Sequence, residues 1–186
     1  VVRALERNPN YEVIGWTRVS VDLRNPEETL GALRGEMPDY VIHCAARVGG
    51  IQANIDSPAD FLLENIQIDS SILSAAQKLG INNFVYVGSS CMYPKDYRQP
   101  LVESDLLAAP LEETNEGYAL SKIVGSKLAT YISKQYGMNY KTIIPSNLYG
   151  PGDNFDSKSS HLVAACLKKA IAAKEHSESE ILVWGD

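Results

Sequence analysis

Short apolar runs alternate with longer stretches of helical periodicity along this chain, and punctuation residues separate them. Residues 12–17 predict a strand. Asn25-Pro26-Glu27-Glu28 is a helix start, and that helix ends near Gly35. The asparagine caps, the proline sits where its missing N–H costs nothing, and the carboxylates meet the positive end of the dipole. Residues 39–46 predict a buried strand, and Ser57-Pro58 opens a long helix that closes at Gly80. Residues 83–88 predict another strand, followed by a long polar, proline-containing loop over 89–114. The next helix carries Tyr118 and Lys122 and stops near Gly137; Gly117 is assigned to the loop before it. A strand over 140–144, a second long loop over 145–160 and a helix from about His161 to Lys174 follow. Residues 181–186 read as a closing strand, and residues 1–7 as the later turns of an amphipathic helix with no start signal before it.

Strands alternating with helices imply β-α-β units. The expected fold is α/β: a Rossmann-like, doubly wound parallel sheet with helices on both faces, truncated at both ends. In such folds ligands lie at the carboxyl ends of the strands. Arg18, the segment Ala45-Ala46-Arg47-Val48-Gly49-Gly50 and the two long loops all leave such ends, so they converge on one edge.

Composition narrows the function. The chain has 186 residues, enough for about one domain with a real core. A net charge of −6 argues against a general nucleic-acid binder. Cys44, Cys91 and Cys166 are too few and too scattered for a disulfide framework, which points to a reducing, cytoplasmic setting. No apolar run approaches the roughly 18 residues of a membrane span, and no signal peptide is visible. No metal site is expected.

The chemistry begins at Tyr118-Ala-Leu-Ser-Lys122, where a phenol and an ammonium share one helix face. A cation beside a phenol favours the phenolate and should draw the Tyr118 pKa down from about 10. Serines at the end of the 83–88 strand could hold a carbonyl oxygen against that phenol, an arrangement suited to carbonyl reduction or oxidation. The Gly-rich loop of a dinucleotide-binding unit is not present in the chain. The strand over 12–17 ends at Arg18 with no acid, which favours the extra phosphate of NADP; Asp22 and Leu23 would border the adenine.

Four segments carry a resemblance. They are Ala45-Ala46-Arg47-Val48-Gly49-Gly50-Ile51, then Gly88-Ser89-Ser90-Cys91-Met92-Tyr93-Pro94-Lys95, then Glu113-Thr114-Asn115-Glu116-Gly117-Tyr118-Ala119, and Pro145-Ser146-Asn147-Leu148-Tyr149-Gly150-Pro151-Gly152-Asp153-Asn154-Phe155; Ser160-His161 and Val183-Trp184-Gly185 complete the set. On these the chain resembles the extended short-chain dehydrogenase/reductases, and within them the branch acting on GDP-4-keto-6-deoxy-mannose. Gly117 stands where that family usually has proline. The resemblance implies an NADPH-dependent 3,5-epimerisation and 4-reduction yielding GDP-L-fucose. It implies a domain over residues 1–160 that binds NADP(H) but lacks its first strand and Gly-rich loop, and a nucleotide-sugar portion beginning over 161–186.

The roles it implies are these. Tyr118 gives a proton to the sugar O4, Ser89 bonds the same oxygen, and Lys122 binds the nicotinamide ribose. Cys91 and His161 exchange protons at C3 and C5, which the neighbouring ketone acidifies. A thiolate is a competent base when a cation lowers its pKa, and histidine can return the proton. Arg18, Asp22, Leu23, Ala45, Ala46, Val87, Gly88, Ser90, Pro145, Asn147 and Leu148, with Ser89, Tyr118, Lys122 and His161, line the cofactor. Lys169 and Trp184 meet the nucleotide sugar. His43, Cys44, Cys166 and His176 read as structural. The family is usually dimeric, with helices 57–79 and 115–136 as the candidate homodimer surface. Two other readings stand beside this one: another nucleotide-sugar epimerase or dehydratase, or a non-catalytic dinucleotide-binding sensor. Sugar dehydratases carry an acidic pair near position 91, and Ser90-Cys91-Met92 has none.

Overall fold

The computed structural model describes residues 1–156 and 160–182. Strands β1 (Tyr40–His43), β2 (Asn83–Val87) and β3 (Asn139–Ile143) form a parallel sheet in the order β1-β2-β3. Tyr40 lies opposite Asn83, His43 opposite Tyr86, and Val87 opposite Ile143. Parallel neighbours need long crossovers. Helices α4 (Pro58–Lys78) and α5 (Glu116–Tyr136) supply them. Right-handed crossovers between adjacent strands put both helices on one face of the sheet. There α4 packs against α5 and against α2 (Pro26–Glu36). The remaining helices are α1 (Val2–Leu5), α3 (Ile51–Asp56) and α6 (Leu162–Glu175). This is the Rossmann-like class expected. No helix among the described residues is long and apolar enough to cross a membrane.

The period-2 alternation of the strands decides the core. Phe84, Tyr86 and Tyr140 point into the helical layer and meet Leu33, Ile72, Leu73, Ala76, Ala129 and Ile132. The Phe84 and Tyr140 rings lie 5.1 Å apart, and the Tyr140 hydroxyl donates to the Ile81 carbonyl at 3.1 Å. Tyr40, Ile42 and Ile143 point the other way and are exposed, the composition of a surface that takes a second helical layer in this fold class. The predicted punctuation is present. The Asn25 side chain accepts from the Glu27 and Glu28 amides at 3.1 and 3.3 Å. Gly137 closes α5 at φ +70, in the left-handed region.

Several expectations fail in detail. Residues 12–17 form no ladder, because no described strand lies alongside to exchange hydrogen bonds with them. Strand β1 stops at His43, and the chain from Cys44 leaves the sheet toward α3, an element the sequence reading omitted. Residues 181–182 are irregular, and the rest of the expected closing strand lies outside the described residues. Gly117 belongs to the first turn of α5, where a Cβ would come within 2.7 Å of the Pro58 carbonyl oxygen. Its lack of a side chain lets the starts of α4 and α5 touch.

Candidate active site

Three strand ends and one helix build the site. Strand β2 delivers Gly88, Ser89, Ser90 and Cys91, the last two within a short 3-10 turn over Ser90–Met92. Gly88 is buried; a Cβ there would meet the Met92 sulfur at 2.8 Å and the Ile143 carbonyl at 3.3 Å. Its amide donates to that same carbonyl at 2.8 Å, so the loop leaves the sheet at a fixed angle. The Cys91 thiol donates to the Ser89 hydroxyl at 3.2 Å. From α5, Tyr118 comes close enough for Ser89 and Cys91 both to act on its ionisation. The fold therefore gathers Ser89, Cys91 and Tyr118 at one point above the strand ends.

Burial raises the Tyr118 pKa to about 12, with Cys91 adding to the rise and the Ser89 hydroxyl opposing it. The lowering by Lys122 expected from sequence is not found. Lys122 is itself 2 % exposed and turned toward other partners: its Nζ lies 3.9 Å from Asp69 Oδ2 and 4.3 Å from the centre of the Tyr86 ring. Burial lowers the Lys122 pKa, and Asp69 is the foremost charge working against that. Cys91 departs from expectation in the same way. Burial pushes its thiol up, and the bond with Ser89, a backbone bond and the Lys122 charge only moderate the rise. Enclosure disfavours every charged form here, and it outweighs the pairwise effects that sequence spacing suggests.

The loop after β1 is held from α4. Asn65 is fully buried; its Oδ1 accepts from the Arg47 amide at 2.7 Å and its Nδ2 donates to the Arg47 carbonyl at 3.0 Å. Arg47 pairs with Glu64 and Asp60 and lies over the Phe61 ring at 4.9 Å. Ala45 and Ala46 thus sit on a clamped segment beside the β2 loop, with Ala45 exposed.

The other expected residues are scattered more widely. Arg18 is exposed in a turn and makes no ion pair among the described residues. Asp22 is gripped by Arg24, whose Nε and second terminal nitrogen reach its two oxygens at 2.9 and 2.6 Å, and this holds its carboxyl at about 2. Leu23 packs partly buried against the core. Val87 ends β2, half-buried. Pro145 is half-buried, while Asn147 and Leu148 are exposed. His161 is the N-cap residue of α6; it is exposed, and its side chain does not cap the helix. The Lys169 ammonium donates to the Leu182 carbonyl at 2.7 Å. Trp184 lies outside the described residues.

Sequence reading missed Asp69 and Tyr86, and took His43 as plain core. His43 Nε2 is 2.8 Å from Asp69 Oδ1, and the Tyr86 hydroxyl donates to Asp69 Oδ2. A signal for Asp69 did exist. Phe61, Asn65, Asp69 and Leu73 recur every fourth residue on α4, and acids rarely enter such a buried stripe without a partner.

Known proteins of similar sequence and fold match almost the whole chain. The GDP-L-colitose synthase of Yersinia pseudotuberculosis is 42% identical over 186 residues, covering 100% of this chain and 60% of that protein. A GDP-L-fucose synthase of Azorhizobium caulinodans is 43% identical over 176 residues, covering 95% of this chain and 56% of that protein. Among solved structures, a GDP-D-glycero-L-gluco-heptose synthase from Campylobacter jejuni, determined in the presence of NADPH, superposes with a TM-score of 0.90 at 32% identity. That match covers 95% of this chain and 52% of that one. The chain therefore spans between half and two thirds of the length of these relatives. The model of the NAD dependent epimerase/dehydratase family matches residues 1–186, and the chain belongs to that family.

Proposed function

We propose that this chain is part of an enzyme that uses NADPH to epimerise C3 and C5 and to reduce C4 of GDP-4-keto-6-deoxy-D-mannose, giving GDP-L-fucose. One observation carries the reading: a thiol hydrogen-bonded to the serine that flanks the tyrosine of a carbonyl-reducing site. Plain reductases need no such group. A thiol one hydrogen bond from the residue that holds O4 stands next to the carbons flanking C4.

Each residue then has a task. Ser89 and Tyr118 aim hydroxyl donors at O4, where negative charge grows in both half-reactions. With its pKa at about 12, Tyr118 is a phenol at neutral pH and can donate. Cys91 takes the proton from C3 or C5 through the minor thiolate fraction that its raised pKa leaves; the electron pair moves to O4 as an enolate held by the two hydroxyls. His161 returns a proton on the opposite sugar face. In the reduction, Tyr118 protonates O4 as the new alkoxide forms. When bound, NADPH would supply the hydride.

The residues present fit that cofactor. Ala45, Ala46, Gly88, Ser89 and Ser90 form a low edge with no bulky side chain, and exposed Arg18 offers an ion-pairing partner for the ribose phosphate. Lys122 would bind the nicotinamide ribose, with Leu23, Val87, Pro145, Asn147 and Leu148 completing the lining and Lys169 and Trp184 meeting the nucleotide sugar. Leu63, Val124 and Tyr131 leave apolar surface exposed along α4 and α5, which supports a homodimer through these helices. The setting we infer is the cytoplasm.

The test uses the full-length protein and the 4-keto sugar in D₂O. We expect deuterium at C3 and C5 and consumption of NADPH. Cys91→Ser should abolish the labelling. Tyr118→Phe should slow reduction by roughly 100- to 10,000-fold, while labelling continues more slowly with Ser89 alone on the enolate. Full labelling in Cys91→Ser removes the thiol from the chemistry. Cofactor binding without turnover would favour the sensor, and preferred turnover of a different GDP-keto sugar would favour a neighbouring enzyme of the family.

A further inference from the structure

Next to Tyr118 lies a buried ionisable cluster of which the proposed function uses Lys122 alone. His43, Asp69, Tyr86 and Lys122 come from β1, α4, β2 and α5 and are 3 %, 2 %, 0 % and 2 % exposed. Asp69 is the hub. One of its oxygens meets His43 Nε2, and the other takes the Tyr86 hydroxyl and faces the Lys122 ammonium.

A buried ion pair is weak evidence for stability, because apolar side chains of similar volume often do as well. The cluster therefore calls for another reason. Lys122 is faced by Asp69 from α4, by Tyr86 from β2, by Cys44 just past β1 and by Cys91 in the turn after β2; Tyr118 lies one helical turn away on α5 itself. Cys44 is exposed, yet partial desolvation raises its thiol, and burial raises Cys91, Tyr86 and Tyr118, so none of the four supplies a negative charge at neutral pH. Asp69 is thus the one carboxyl group facing the ammonium among the described residues. Its place is fixed independently of Lys122, since His43 and Tyr86 each hold one of its oxygens.

We propose that Asp69, anchored by His43 and Tyr86, is the positioning residue for Lys122: it keeps the buried ammonium charged and fixes its place one helical turn from Tyr118. The inference rests on the reading of Lys122 as a cofactor-binding group. It assigns Asp69 no contact with substrate or cofactor. Through Asp69 the Lys122 ammonium on α5 is tied to two strands and a second helix.

The experiment follows Lys122 directly. Full-length protein labelled with ¹³C at the lysine ε carbon is titrated by NMR, and the Lys122 signal is assigned by its loss in Lys122→Arg. In the wild-type protein Lys122 is protonated at neutral pH; a signal already neutral there overturns the proposal without any variant. Asp69→Asn should lower the Lys122 midpoint by about one pH unit or more. In the same variant kcat for the keto sugar should fall roughly tenfold or more with KM for the sugar nearly unchanged, and acidifying the assay should restore part of it. Asp69→Glu keeps the charge and should hold the midpoint near wild type. A folded Asp69→Asn protein with an unmoved Lys122 midpoint and an unmoved pH–rate profile overturns the proposal. Wild-type protein that fails to turn over the sugar would count against the proposed function alone, because the titration reads Asp69 regardless.

Discussion

Replacing Gly125 by alanine tests how closely α5 must approach β2. In an exposed helix interior this change stabilises by up to about 1 kcal/mol, since glycine carries the larger backbone entropy cost. Gly125 is not in such a place. A Cβ there would lie 2.5 Å from Tyr86 Cζ and 2.7 Å from Asp69 Oδ2, and closer still to the Tyr86 hydroxyl. Tyr86 and Asp69 are 0 % and 2 % exposed, so neither side chain can swing into solvent. Overpacking of this kind costs about 1–3 kcal/mol. Pushing the Tyr86 hydroxyl off Asp69 strips a buried carboxylate of a donor, for about 1–3 kcal/mol more. Subtracting the helix gain leaves a net loss of roughly 3 kcal/mol. Gly31, inside α2 with nothing within 4 Å of its would-be Cβ, is the matched control. Urea unfolding of the full-length protein, followed by circular dichroism, should show Gly31→Ala slightly more stable than wild type and Gly125→Ala clearly less stable. Equal stabilisation by both would refute the close approach and the packing argument with it.

Two further outcomes follow from the same contacts. Asn25→Ala removes the side chain that accepts from the Glu27 and Glu28 amides, and should cost about 1 kcal/mol in the same unfolding assay, with Asn25→Asp recovering most of it. At alkaline pH, Tyr118 and Tyr140, each pushed up to about 12, keep their protons while an unfolded chain gives them up near pH 10. The unfolded state then binds fewer protons, so stability falls as pH rises from about 10 to about 12 and is unaffected by these groups below that window. Tyr118→Phe and Tyr140→Phe should each flatten the alkaline limb of the stability curve.

What the sequence disclosed depended on how local the cause was. The Asn25 cap, the left-handed Gly80 and Gly137 turns and the periodicity of α4 and α5 are set by neighbours in the chain, and each lies where spacing places it. A ladder needs a partner strand, which no local pattern supplies, so residues 12–17 were read as a strand and carry none. Helix α3 has six residues and a glycine at its N-cap with no side-chain bond, so it offered no start signal. At the site, spacing placed Ser89, Cys91 and Tyr118 together and put Tyr118 and Lys122 on one helix. Spacing could not say which way Lys122 turns. Asp69, far along the chain, draws it to the cluster under the sheet edge, and the enclosure that results moves Tyr118 and Cys91 opposite to the direction that pair logic gave.

Helix α5 joins the two halves of this account. Tyr118, Lys122 and Gly125 fall at intervals of four and three residues, hence on one face. Gly125 permits the approach to Tyr86, that approach brings Lys122 against Asp69, and Tyr118 one turn earlier is carried to Ser89 and Cys91. Spacing and reactivity are therefore not independent in this fold. A bulkier residue at position 125 would lift the whole face, so it should move the Lys122 titration midpoint and not only the unfolding free energy. A substitution on α5 of equal cost that adds no bulk, such as Ala129→Gly, would lower stability and leave that midpoint in place. The pair of measurements separates a helix that merely packs on the sheet from one whose distance to β2 sets the charge of its lysine.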